Sequence, residues 1–479
     1  MKDAPNILLV FTDQQQQKLL GCYGNTTVQT PCIDALSREG ATFENAIVAQ
    51  PVCTASRASL LTGTYGHTHG CVKNNQVLTE ENPTYGEIFR EHGYRVGYVG
   101  KWHCGNEPIP QRGFEGFYRS MEGKYVAGPL RQQGICTTYD QWLKDRGRTP
   151  EKGGATFSDK EVCFFPEEDC KMAFEAWHVD EFFRTLDERP FFLTVSITEP
   201  HPPYFSPFDD MYGKDTIDLP ANYHVDDGEI AGWSRRTAAF RQFYHELGHN
   251  IFTGDPSDVR EKMARYFGLI SLVDKYVGKV LDLLGSYGHA EDTVVMFTSD
   301  HGDMMGSHQI VDKGMMFEES LKVPFIVRHP GEDFAGKRLT KVINNVDVVP
   351  TLLDMAGLPI PDHIQGHSFL PVLRGEENGF PPFGVGEWNG FLQAMHARQP
   401  YFADVLDACI RCVVTDRHKL VLSPGDRPEF YDLEVDPLEQ RNTVADPENR
   451  ETVDLLYDCL REWQKETEDP LEVAHPLEG

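Results

Sequence analysis

Three things are missing from this sequence, and each absence removes a class of protein. No apolar run approaches the length that crosses a bilayer. The opening "MKDAPNILLVFTD" moves from polar and turn residues into an apolar stretch too short for a secretory signal with a small-residue cleavage site. A cytoplasmic protein without a membrane partner is the expectation. A disulfide framework is also missing: eleven cysteines, an odd number without regular spacing, suit reduced thiols. No CxxC spacing occurs among Cys22, Cys32, Cys71 and Cys104, so these are expected to be buried or half-buried thiols without a metal. Positive charge is the third deficit. Lys and Arg number 45 against 74 Asp and Glu, a formal net charge of -29, which repels nucleic acid and anionic membranes. An anionic substrate must then be drawn in by a local cluster of Lys, Arg, His or metal.

Internal repeats and low-complexity tracts are absent as well, and 479 residues that are 40% hydrophobic and 25% charged suffice for one large domain plus a smaller one. Short continuous apolar runs read as strands buried on both faces: "NILLVFTD" (6–13), "RVGYVG" (95–100), "PFFLTVSI" (190–197), "TVVMFTSD" (293–300) and "VPFIV" (323–327). Helical patterns at 84–93 and 259–288 alternate with them, so the fold class is α/β, a large mostly parallel sheet sandwiched by helices. From about 376 the texture changes to antiparallel strands at 411–424 and 428–433 and a helix near 449–466. The expected division is a large N-terminal domain, 1–375, and a C-terminal subdomain of antiparallel sheet plus helix, 376–479. Residues 103–180 read as a loop-heavy insertion.

Ligands of parallel α/β sheets gather at the carboxyl ends of the strands. Those ends carry Asp13 and Gln14, Lys101 and His103, His201, and Asp300 and His301. A lone aspartate there is an ordinary helix cap, but four strand ends delivering charge to one rim are not explained by capping. Asp13, Gln14, Asp300 and His301 make a hard-cation site open to a further oxygen ligand. Arg57, Lys101 and Lys313 are placed to neutralise a transferred tetrahedral oxyanion. The missing part is a nucleophile, which directs attention to Cys53. A rival motif, "HELGH" (245–249), fits the HExxH zinc pattern, but Gly248 and the following Gly254-Asp255-Pro256 argue against a long zinc-binding helix. His67 and His69 read as structural histidines with substrate contact as the alternative, Asp303 and His308 equally as ligands or as turn residues and supports of ligands, and Glu387 and Trp388 as candidates for substrate contact.

"CTASR" (53–57), continued by "ASLLTG", resembles the signature of the type I sulfatases of the alkaline phosphatase superfamily. "GYRVGYVGKWH" (93–103) is similar to that family's second signature, "NILLVFTDQ" and "TSDHGDMMGSH" with Lys313 to its metal strands, and "YDLEVDPLEQRN" (431–442) to its C-terminal segment. The resemblance implies that a maturation enzyme oxidises Cys53 to formylglycine, whose hydrate attacks sulfur and then expels sulfate. It further implies metal ligation by Asp13, Gln14, residue 53, Asp300 and His301, with calcium as the ion and manganese as the alternative. Arg57 would orient the hydrated aldehyde, Lys101 and Lys313 hold sulfate oxygens, His201 protonate the leaving group, His103 assist the diol, and Asn74 touch substrate. The implied substrate is a sulfate ester, on a small molecule or an oligosaccharide, most often a sulfated carbohydrate. A phosphonate monoester or phosphodiester hydrolase is the alternative, and a non-catalytic sulfoglycan-binding protein the remote one. Homo-oligomerisation stays open. Gln14 stands where many relatives have aspartate, His301 where they have asparagine, Ala55 where the strict motif has proline, and Val96 where a threonine is frequent.

Overall fold

The computed structural model describes residues 4–224, 232–246, 255–376, 379–390 and 408–477, with side chains of the second segment described through 242. Eight strands form the main sheet: β1 (Asn6–Asp13), β2 (Ala41–Ile47), β3 (Arg95–Gly100), β4 (Tyr118–Ser120), β5 (Phe191–Pro200), β6 (Thr293–Ser299), β7 (Ile326–Arg328) and β8 (Arg338–Asn344), in the order β4-β3-β5-β1-β6-β7-β2-β8. Every residue of β1 is buried, as its unbroken apolar run requires of a strand covered on both faces. It lies between β5 and β6, parallel to both, with Thr12 opposite Ser299 and Asp13 opposite Pro200. This register brings the carboxyl ends of the three strands level.

The apolar run at 323–327 gives a strand shifted to 326–328, and it runs antiparallel to both β6 and β2. The reason is the connection. Between β6 and β7 the chain forms only single helical turns along the carboxyl edge, so it re-enters the sheet from the end it left, whereas a parallel return needs a crossover. β2 ("ATFENAI") and β8 ("RLTKVIN") carry polar residues inside the strand and for that reason lack the continuous apolar signature. The 103–180 stretch is more ordered than a loop-heavy insertion: it holds β4, a capped helix at Thr138–Asp145 and the start of the Lys171–Arg184 helix, which packs on β3 and β5. The Pro256–Ser286 helix covers the same face.

A second, antiparallel sheet has the order β12-β11-β10-β9, with β9 (Gly384–Trp388), β10 (Ile410–Val414), β11 (His418–Leu422) and β12 (Glu429–Asp432). The Arg450–Thr467 helix packs on it, and its core includes Ala49, Tyr65 and Val346 from the main body. The two sheets therefore share apolar surface. No disulfide forms among the described cysteines: Cys71 and Cys104 are buried, Cys22 and Cys32 half-buried. No helix among the described residues is long and apolar enough to cross a membrane.

Candidate active site

Cys53 is the first residue of the Cys53–Thr62 helix, whose side chains are buried throughout and whose end is set by Gly63 in the left-handed conformation. The helix points its first residue at the carboxyl ends of β1 and β6. There Asp13, Cys53, Asp300 and His301 offer ligand atoms that all lie within 4.8 Å of one another. Cys53 Sγ stands 3.3 Å from His301 Nε2 and 3.7 Å from Asp13 Oδ1.

The two carboxylates are braced from outside. Asp13 Oδ2 receives Lys101 Nζ at 2.6 Å and an Arg57 terminal nitrogen at 3.0 Å, while Asp300 Oδ2 receives Arg57 Nε at 2.8 Å. Each carboxylate is thereby left with its Oδ1 facing Cys53 and His301; that of Asp300 also accepts the Gln14 N–H at 3.1 Å. Arg57 completes its planar fork with the Lys101 carbonyl and Ser196 Oγ, both at 2.8 Å. Gly100 precedes Lys101 at φ 112°, and a Cβ there would stand 2.0 Å from the Ser196 carbonyl oxygen, so only glycine lets the strand end deliver this lysine. Ser56 Oγ donates to the Asp300 carbonyl, and Asn345 in turn donates to Ser56.

His301 Nδ1 lies 2.8 Å from the Gly302 carbonyl, which fixes the tautomer that presents Nε2 to the group. Burial lowers the pKa of His301, yet Asp300 and Cys53 outweigh that and lift it to about 9. Burial alone would also raise the Asp13 pKa, but Lys101, with His201 and Arg57, holds it well below the usual carboxylate range. The donor set thus favours positive charge at its centre and fits a divalent cation.

Gln14, beside the Asp300 carboxylate through its own N–H, has its side-chain amide tied to two further residues. Its backbone is left-handed at φ 71°, its Oε1 accepts from Lys313 Nζ at 2.6 Å, and its Nε2 donates to Asp303 Oδ2 at 2.6 Å. Asp303, held by Tyr204 and the Met305 N–H, orients this amide. His103, also left-handed at φ 55°, stacks on Tyr125 with ring centroids 4.1 Å apart. Its Nε2 pairs with Asn75 Oδ1 at 3.1 Å and its buried Nδ1 meets no protein partner; burial and then Lys101 push its pKa well down. His201 Nδ1 donates to the Pro202 carbonyl, and burial, then Lys313, lower its pKa well below the ordinary value. Asn74 Oδ1 accepts the Thr54 N–H at 3.2 Å, so this amide serves the helix start.

Other sequence candidates are absorbed structurally. Glu387 binds His67 at 2.8 Å, His69 pairs with Ser59, and His308 stacks on Phe317. Trp388 packs against the Gly314 position and the Arg236 guanidinium. Of "HELGH", His245 and Glu246 end a helix beginning at Arg235, and Leu247 to His249 lie outside the described residues. Two carboxylates escaped the sequence reading. Glu122 is the second counter-ion of Lys101 at 3.3 Å, and Glu107 accepts the Trp102 and His103 N–H groups, each at 3.0 Å. Both sit in the 103–180 stretch, where no periodicity locates a side chain; the nearness of Glu107 to His103 was the one available signal.

The Sulfatase family model matches residues 5–358, and the N-sulphoglucosamine sulphohydrolase C-terminal model matches residues 306–466. An arylsulfatase of Clostridium perfringens is 32% identical over 95% of this chain and 93% of its own length. An N-acetylglucosamine-6-O-sulfatase of Bacteroides thetaiotaomicron is 26% identical over 97% of this chain and 87% of its own. Among solved structures, a phosphonate monoester hydrolase of Agrobacterium radiobacter superposes with a TM-score of 0.78 at 25% identity, covering 97% of this chain and 96% of its own. A protein solved with its substrate D-glucosamine-2-N,6-O-disulfate gives 0.76 at 22% identity, covering 99% of this chain and all of its own, a likeness of fold. With the buried donor set at the carboxyl rim of an alkaline phosphatase-like sheet and a family match over most of its length, this chain belongs to the sulfatase family and is a sulfuric ester hydrolase.

Proposed function

We propose that the chain cleaves the sulfate monoester of a sulfated carbohydrate, with Cys53 matured to formylglycine and calcium held by Asp13, Asp300 and His301. The observation that carries this reading is the inward-facing set of donors around Cys53, ringed by Arg57, Lys101 and Lys313 in a protein of net charge -29. The carbohydrate rests on the relatives: besides the N-acetylglucosamine-6-O-sulfatase, an ulvan-active sulfatase of Formosa agariphila is 28% identical over 93% of this chain.

The matured residue supplies an attacking oxygen and the cation supplies charge neutralisation. The chain's own side chains supply the rest. Arg57 and Lys101 fix the carboxylates by their outer oxygens, which costs no reorganisation when substrate arrives. Lys313, 2.6 Å from Gln14 Oε1, presents an ammonium for a sulfate oxygen. Burial and the nearby lysines keep His201 neutral in the free protein. An anionic ester seated among those lysines offsets their field, so His201 gains a proton on binding and gives it from Nε2 to the leaving oxygen. His103, neutral and with Nδ1 unpaired, is the base on the side of the Cys53 helix.

Peptide mass spectrometry across residue 53 tests the reading first, on protein produced with a maturation enzyme that accepts CxAxR. The expected result is an aldehyde in place of the thiol, stoichiometric calcium by metal analysis, and faster turnover of sulfated sugars than of phosphonate esters with the same leaving group. An unmodified thiol in a host that converts a control CxAxR protein removes the formylglycine mechanism, manganese in place of calcium corrects the ion, and faster phosphonate turnover transfers the chain to the phosphonate hydrolases.

A further inference from the structure

The donor set is chemically different before and after residue 53 is oxidised. With an aldehyde hydrate at position 53 it is oxygen and one imidazole, the set of a hard cation. With the encoded cysteine it is one sulfur, one imidazole nitrogen and two carboxylate oxygens. A Cys/His/Asp/Asp set suits zinc, which takes thiolate, imidazole and carboxylate in tetrahedral sites and is usually held closed by four protein ligands. We infer that the chain with Cys53 unoxidised is a zinc-type thiolate site, and that oxidation of this one side chain switches the site from a borderline-soft to a hard cation. This rests on the reading that these four residues hold the metal.

Three observations support the site as already arranged for a soft ion. Cys53 Sγ is 3.3 Å from His301 Nε2, so sulfur and nitrogen need only a small separation to share one ion. The Gly302 carbonyl takes His301 Nδ1, the outer hydrogen bond that metal-bound histidines have. The outer oxygens of Asp13 and Asp300 are held by Arg57 and Lys101, so the inner oxygens are pre-aimed and the negative charge of two carboxylates plus a thiolate is partly balanced. On binding, a sulfur–metal bond forms, the thiol proton leaves to solvent, and no electron changes hands. The sulfur lone pair is then engaged in the metal bond.

The test uses the full chain made without a maturation enzyme, with cobalt(II) as the spectroscopic stand-in for zinc. The expected result is one equivalent of cobalt with a sulfur-to-cobalt charge-transfer band, displaced by zinc and unaffected by a large excess of calcium. Cys53→Ser, checked for its fold by circular dichroism, should lose the band and weaken zinc at least about a hundredfold, the upper end of what changes outside the ligand shell produce. The matured chain should show no such band and should retain calcium. A cobalt site without the band, or a band that survives Cys53→Ser through another of the eleven cysteines, overturns the inference. If the matured chain binds calcium while the thiol form binds no metal, the inference fails and the metal-site reading stands; if neither form binds any metal, both fail.

Discussion

Two lysines in this protein occupy nearly the same electrostatic setting and do different things. Lys101 is fully buried between Asp13 at 2.6 Å and Glu122 at 3.3 Å; Lys419, on β11, is fully buried between Glu439 at 2.7 Å and Glu318 at 3.0 Å. Burial lowers both pKa values and the two carboxylates lift both above the ordinary lysine value. The difference lies in the remaining oxygens. Around Lys419 they turn back into the fold: Glu439 Oε2 accepts the Glu318 N–H at 2.7 Å, Glu318 pairs with Lys322, and Lys419 donates also to the Met316 carbonyl. Around Lys101, Asp13 keeps Oδ1 directed at Cys53 and His301. Buried charge alone does not mark a functional site; a charged group whose last valence faces other donors does.

The sharpest break between the two regions is at Cys53 itself. Cys53→Ala should lower kcat/KM for sulfate esters by roughly 10⁵-fold or more, the scale of losing a nucleophile, with cooperative urea unfolding retained; residual turnover within tenfold of the parent would remove Cys53 from the mechanism. Lys101→Met should cost about 10²- to 10³-fold in kcat, the scale of one electrostatic stabiliser, and should destabilise the fold as well, because Asp13 and Glu122 lose the buried cation they share. Lys419→Met should destabilise by about 3–5 kcal/mol, since it leaves Glu318 and Glu439 buried without their shared cation. The kcat of its folded fraction should stay within about twofold of the parent. Equal losses of activity in the two lysine variants would dissolve the comparison.

The Lys419 region also titrates. Burial raises the Glu439 pKa from 4.5 to about 7, Lys419 opposing and Glu318 assisting, while Glu318 is held low. A carboxyl with a raised folded pKa favours the folded state fully below its unfolded value and loses that contribution as pH rises through the folded one. The urea midpoint should therefore fall between pH 4.5 and 7, and Glu439→Gln should flatten that part of the profile. An unchanged slope in the variant would assign the titration to another group.

The metal strands were legible in the sequence because their chemistry sits directly after continuous apolar runs, where a buried parallel strand must end, whereas the Cys53 helix was legible through its "CTASR" signature. Asp13, Lys101, Asp300 and His301 were found at such strand ends. The partners of those residues were not legible. Glu122, Asn75 and Asn345 come from loops or from strand and helix ends, distant in sequence from what they bind, and no periodicity fixes where such side chains point. Gln14 shows the same limit from the other side. Its place after Asp13 was legible, whereas the left-handed backbone that brings its amide to Lys313 and Asp303 has no signature in the residue order. The polar strands β2 and β8 were missed because burial there comes from the sheet, not from the strand's own composition.

One link between the two regions remains to be tested, and its expected effect is the smallest. Arg236 is buried, its guanidinium 4.5 Å from the Phe240 ring centroid and 4.8 Å from that of Trp388 on β9, and it donates to the Gly314 carbonyl at 2.9 Å. Gly314 is left-handed at φ 90°, and a Cβ there would stand 3.2 Å from Trp388, so the loop carrying Lys313 is seated against the C-terminal sheet. The backbone of Arg235 and Arg236 is tied to Asp426. If this clamp sets where Lys313 meets the sulfate, Arg236→Met should lower kcat/KM about tenfold, the size of one charge-assisted hydrogen bond, and weaken inhibition by inorganic sulfate to a similar degree. The effect should vanish in a Lys313→Ala background, because the two changes would act through one contact. An equal, additive loss in both backgrounds, with sulfate inhibition unmoved, would leave Arg236 a packing residue and confine the coupling of the two sheets to their shared apolar core.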